Sequence, residues 1–197
     1  SVAVALVFSV CLFMLLPNAL ATVIKHFTEN HVVLNLAEGV IRMAIFLGYL
    51  TLVSRMKDIQ RVFEYHGAEH KTIATYESGD ELTVENARTH SRFHPRCGTS
   101  FLLIVMVVSI IVFSCLKWGH MWQNMLYRLL LLPVVAGISY EMIKIAGRSK
   151  NRFVALLTKP GLWLQRITTR EPDDSQLEVA IASLKAVLTD NREDDKW

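Results

Sequence analysis

His66, Glu69 and His70 stand in the order H-x-x-E-H. On a helix the two histidines are i,i+4 neighbours whose imidazoles can close on one metal ion, with a carboxylate beside them. This order is the inverted zincin signature, in which the histidines hold zinc and the glutamate activates a water for hydrolysis. Gly67 inside the same helix argues mildly against it, at about 1 kcal/mol relative to alanine. Downstream, His94-Pro95-Arg96-Cys97-Gly98 offers another imidazole and a thiol. A helical hairpin that folds His94 and Cys97 back onto His66 and His70 would give a four-ligand N/S set, common for zinc. If His94 or Cys97 stays away, an open position remains and water activation becomes feasible. The competing reading of the two histidines is a solvated or hydrogen-bonded pair, and His90 reads as a surface residue. Tyr65, Lys71 and Arg96 could bind an anionic substrate or a lipid headgroup. Pairing with Glu64, Glu77 or Glu85 is the alternative for them.

The elements that must position these residues are apolar. The chain is 52% hydrophobic with a net charge of only +3, and its apolar residues are clustered. Neither the charge nor any run of Lys and Arg with interleaved aromatics supports nucleic-acid binding. Residues 2–16 form a first apolar run closed by Pro17, about 23 Å if helical and short of a ~30 Å bilayer core. Because the run starts at Ser1 without a basic lead-in, it reads as the truncated first span of a fragment or processed chain. A signal peptide with Asn18-Ala19-Leu20-Ala21 as its cleavage tail is the less favoured reading. Residues 18–30 make a connector, and residues 32–54 a second span. On that span His31, Asn35, Glu38 and Arg42 share one face at i, i+4, i+7 and i+11. Ionisable groups there cost roughly 2.5 to 3.5 kcal/mol each unless they face protein or water. The stripe is therefore a structural ion pair, or the lining of a path.

Residues 55–98 leave the membrane as a polar insertion. Ser78-Gly79-Asp80 marks a turn, and a second helix begins near Thr83, carries His90 and ends near His94. The third span runs from Thr99 to Leu116 without a charge, with Thr99 and Ser100 as its capping residues. Trp118 is an interfacial residue in the following turn. Residues 122–145 are a fourth span with a kink at Pro133. The basic stretch 148–152 suits lipid headgroups, and 153–167 suits a broken amphipathic segment in the interface. A last helix over 176–190 has one apolar stripe (Leu177, Ala180, Ile181, Leu184, Val187 and Leu188) that docks on the chain or on a protein partner. The acidic end is frayed. Cys11 and Cys115 are small packing residues, and the odd count of three cysteines implies no disulfide framework.

The fold expected is thus all-α and polytopic: spans 1 and 2 within 1–54, an insertion at 55–98, spans 3 and 4 within 99–146, and an interfacial segment with a terminal helix at 147–197. Seven Lys and Arg lie between Arg55 and Arg96 and seven more between Lys144 and Arg170, against Lys25 and Lys117 in the other loops. The positive-inside rule then makes the insertion and the C-terminus cytoplasmic.

EYHGAEHKTI (64–73), ELTVENAR (81–88) and HPRCGTSFLLIVMVVSI (94–110), preceded by NLAEGVIRMAIFLGYL (35–50), resemble the YqhQ-like family of bacterial membrane proteins. The resemblance covers residues 2–160 and implies a bacterial cytoplasmic membrane and a label of metal-dependent enzyme. It marks His66, Glu69, His70, His94, Arg96 and Cys97 as the motif residues. Family members usually also carry an N-terminal Gly-rich GGQAVIEGV-like segment, which does not occur in these 197 residues.

Three functions compete on this reading. The first is a zinc-dependent membrane hydrolase of peptidase type, with Glu69 as general base and a peptide or lipid-linked substrate. The second is a scaffold or regulator stapled by a closed Cys/His metal site. The third is a small transporter using Asn35, Glu38 and Arg42, which would need a homo-oligomer to enclose a path.

Overall fold

The computed structural model describes residues 2–117, 120–148 and 152–189, and every regular element among them is helical. Helices α1 (Val2–Val10) and α2 (Leu16–Ile24) are joined by a π-helical turn at Cys11–Leu15 into one apolar rod. There follow α3 (His31–Val53), α4 (Lys57–Ser78), α5 (Val84–Thr89), α6 (Gly98–Ser114), α7 (Met121–Arg148), α8 (Arg152–Thr168) and α9 (Asp174–Lys185). Trp118, residues 149–151 of the basic stretch and the acidic end at 190–197 lie outside the described residues.

Pro17 does not close the first helix. The rod continues to Ile24, which leaves only residues 25–30 as connector. Pro17 falls in the first turn of α2, where a missing N–H costs least. In an unbroken α-ladder the Phe13 carbonyl would face that missing N–H. Here it accepts instead from Arg42 Nε at 3.0 Å. Among the described residues, three stretches have the length and composition of a membrane span: Val2–Ile24, His31–Val53 and Trp122–Ile145. The expected third span, α6, is apolar but has only 17 residues. It starts at Gly98 with Cys97 in the cap position, so Thr99 and Ser100 are already inside it. Their hydroxyls turn sideways, Thr99 to Cys97 and Thr168, Ser100 to Gln165.

The polar stripe of α3 faces inward. Glu38, 1% exposed, accepts from Asn18 Nδ2 at 3.2 Å, from Arg42 at 2.5 Å and from both terminal nitrogens of Arg128. Asn35 donates to the Leu116 carbonyl at 2.9 Å. Four hydrogen bonds on one carboxylate tie α2, α3 and α7 together, which is how a membrane helix can carry such a charge. Cys11 and Cys115, expected as packing residues, are instead exposed on the outer faces of their apolar stretches.

Outside the spans, α4, α5 and α9 close on a small core of Ala68, Ala87, Leu177 and Ile181. Gly79, at φ 86°, ends α4 in the left-handed conformation that glycine adopts freely. α5 stops at Thr89, short of the expected end near His94. Lys71 Nζ takes the carbonyls of Arg88 and His90 at 3.1 and 2.8 Å, acceptors that a continuing helix would have used. A capping box of Asp173 and Gln176 opens α9. Leu177, Ala180 and Ile181 of the apolar stripe pack within the chain, on α4 and α5, whereas Val187 is exposed, and the helix ends at Lys185 rather than 190.

α8 is one continuous helix through Pro160, not a broken segment, and it lies against α6. The approach is close: a Cβ on Gly161 would stand 2.7 Å from Ser100 Oγ. Gly67 has a similar reason to be glycine. The chain leaving α8 crosses α4 there, with Arg170 N–H on the Phe63 carbonyl at 2.8 Å. A Cβ on Gly67 would sit 2.0 Å from the Arg170 carbonyl oxygen, a backbone atom that cannot swing aside. Gly67→Ala is therefore expected to destabilise the protein by about 1 to 3 kcal/mol, although alanine is the better helix former. A thermal melt equal to or above that of the wild type would refute this contact.

Candidate metal centre

α4 brings His66 and His70 to one face, ring centroids 4.4 Å apart. Cys97 joins them from the start of α6. One ligand atom from each of these three residues lies within 4.8 Å of the others. Each imidazole is held from behind. His66 Nδ1–H donates to the Thr168 carbonyl at 2.8 Å, and His70 Nδ1–H donates to the Arg92 carbonyl at 2.6 Å. Fixing Nδ1 in this way leaves Nε2 as the free ligand atom, the arrangement common behind metal-bound histidines. His66 Nε2 is 3.3 Å from Cys97 Sγ.

The backbone clamps are themselves held by α8. Arg92, whose carbonyl orients His70, donates to Thr169 Oγ1 at 2.8 Å and to the Thr169 carbonyl. Gln165, fully buried, accepts from His94 N–H at 2.8 Å, donates to the His94 carbonyl at 2.7 Å and reaches Ser100 Oγ at 2.8 Å. Gln165, Thr168 and Thr169 are not among the site residues expected from the sequence. The available hint was three uncharged polar residues close together at the end of an amphipathic segment.

His94 is not brought into the ligand group. Its Nδ1 accepts from Arg96 N–H at 3.3 Å, so Nε2–H is left to donate to Glu77 at 3.2 Å. Burial, aided by His70 and Arg96, outweighs Glu77 and holds His94 below the usual imidazole range. Arg96 also pairs with Glu77. Both line a cavity of about 160 Å³ together with His66, His70, Cys97 and Glu69. Glu69 is exposed at its rim. Lys71 and Tyr65 lie elsewhere. Lys71 is buried on the two carbonyls that end α5 and on Glu171 at 3.1 Å, and Tyr65 faces α9. His90 bonds Asp80 at 2.9 Å, away from the group.

Burial works against ionisation of the Cys97 thiol. Hydrogen bonds from His66, His70 and Thr99 overcome it and bring the thiol down to about 5. Burial likewise opposes the charged form of His66, but the thiol and the Thr168 carbonyl hold it above the usual imidazole range. The geometry thus favours a thiolate at Cys97 and holds the His66 ring beside it toward its protonated form. In a Cys11→Ser/Cys115→Ser variant stripped of metal, thiolate absorbance is expected to titrate with a midpoint of about 5, and a midpoint near the ordinary 9 would contradict the geometry. Metal uptake must expel the proton on His66, so metal affinity should rise with pH through the His66 titration.

A neutral imidazole pair with a thiolate is a borderline-soft donor set that suits zinc. The residues present therefore fit a metal of that kind, with three protein ligands.

No solved structure matches the chain. It is 39% identical over 182 residues to "Uncharacterized protein YqhQ" of Bacillus subtilis (strain 168), covering 92% of this chain. The chain spans 57% of the length of that relative. A family profile described as "Protein of unknown function (DUF1385)" matches residues 1–190. On this match, which takes in the site and every helix described above, the chain belongs to the YqhQ-like DUF1385 family.

Proposed function

We propose that this protein is a zinc-dependent hydrolase working at the cytoplasmic face of a bacterial inner membrane. The observation that supports it best is the convergence of His66, His70 and Cys97 with both Nδ1–H groups fixed by carbonyls and a carboxylate at the rim of the cavity. Zinc held there would supply Lewis acidity and a nucleophilic water near neutral pH. Glu69 takes the proton from the attacking water and returns it to the leaving group. Arg96, with Glu77 and His94 behind it, orients an anionic part of the substrate. The membrane frame is four spans, with α6 as a short one of about 26 Å. The insertion and the C-terminus lie on the basic, cytoplasmic side. A purely structural metal site is the second reading, and it would be expected to close with a fourth protein ligand. Three ligand groups favour the open, catalytic form.

The test is hydrolysis of panels of quenched fluorescent peptides and acyl esters by the protein in lipid nanodiscs. Activity that disappears with a zinc chelator and returns with added zinc supports the proposal. Zinc-loaded protein that is inert on both panels counts against it.

A further inference from the structure

A second cavity, of about 350 Å³, lies between α4 and α9. It shares Glu69 and Ile73 with the metal-site cavity, so the two are neighbours across one ridge of α4. Its other walls are largely aliphatic, from Val179, Ala180, Leu184 and Val187. The lining residues 179–187 cover about 12 Å at 1.5 Å per residue. That is a groove for a linear chain rather than a socket for a single side chain.

Thr72 carries the argument further. It lines this cavity, is 1% exposed, and its hydroxyl has no hydrogen-bond partner. A helical threonine ordinarily gives its hydroxyl to a carbonyl four residues back. Thr75, on the same helix, does so to Lys71 at 2.8 Å. A buried hydroxyl without a partner is costly, and natural proteins rarely leave one. On a residue that lines a cavity, such a hydroxyl can turn to an acceptor on a bound ligand.

We infer that the α4–α9 cavity is the acyl subsite of the metal centre, seating a linear aliphatic chain whose carbonyl accepts from Thr72. This rests on the hydrolytic reading of the site and names its substrate class: a compound bearing a long-chain acyl group, whose scissile bond lies beyond the acyl carbonyl and is carried over Glu69 to His66, His70 and Cys97.

The experiment uses the full chain in nanodiscs and a photoreactive diazirine dodecanoic acid, with crosslinked peptides mapped by mass spectrometry. Labelling is expected within 65–73 and 179–187. Straight-chain alkanoates should compete with it, gaining roughly threefold to fourfold per added methylene until the groove is filled. Ser183→Trp, which fills the groove from an exposed position, should cut labelling at least tenfold while the melting temperature holds. Thr72→Val keeps the shape. It should weaken competition by alkanoates about fivefold and leave competition by alkanes unchanged. Labelling outside these segments, or labelling indifferent to Ser183→Trp and to chain length, overturns the subsite. Hydrolysis by the zinc-loaded wild type, assayed beside the labelling, separates the two ideas. Labelling of the groove in zinc-loaded wild-type protein that hydrolyses nothing keeps the subsite and removes the hydrolase. Hydrolysis without chain-length preference does the reverse.

Discussion

Glu69→Gln is expected to keep its metal and lose turnover. The amide has nearly the same shape as the carboxylate but cannot accept a proton at neutral pH, and general-base catalysis of this kind contributes about 10²- to 10⁴-fold. Glu69 is outside the group formed by His66, His70 and Cys97, so its neutralisation leaves the ligands and their clamps at Thr168 and Arg92 in place. The measurement is the rate on whichever acyl or peptide substrate the wild type hydrolyses, set beside zinc content. A variant with full metal and full rate would remove Glu69 from the mechanism. A variant that loses both would make it a ligand or a structural residue.

The second large effect lies in the long apolar helices. Glu38→Ala leaves Arg42 and Arg128 facing one another across the packed helices without their carboxylate. Removing one partner of a buried ion pair costs about 3 to 5 kcal/mol, because the charge left behind stays desolvated. The protein should melt far lower in detergent, and Glu38→Ala/Arg128→Met should recover part of the loss by removing one of the stranded charges. A Glu38→Ala protein that melts with the wild type would mean the cluster is wet and carries little stability. Hydrolytic activity that survived in the folded fraction would separate this cluster from the chemistry. The transporter reading instead makes Glu38 a functional group whose loss abolishes flux.

The sequence exposes whatever is local. The i,i+4 pair of His66 and His70 needs only a helix, and Cys97 stands just ahead of an apolar run, so both positions are legible without any contact map. Glu38 and Arg42 pair within one helix and are equally readable. What escapes is everything set by chain segments far apart. Arg128 comes 90 residues after Glu38, and Thr168 comes 102 after His66. No period or motif links such residues. Pro17 misleads for a related reason: a proline ends a helix only if its turn has no other way to satisfy the freed carbonyl, and Arg42 provides one. His94 shows the opposite limit. Its type and place suit a ligand, but the neighbouring Arg96 N–H and Glu77 claim both of its nitrogens, and only the folded arrangement reveals that.

Metal content decides the central claim. Elemental mass spectrometry on wild type and His70→Ala, purified without chelator, should find about one zinc per wild-type chain and almost none in the variant. Wild-type protein without bound metal, or His70→Ala protein that retains it, would contradict the account.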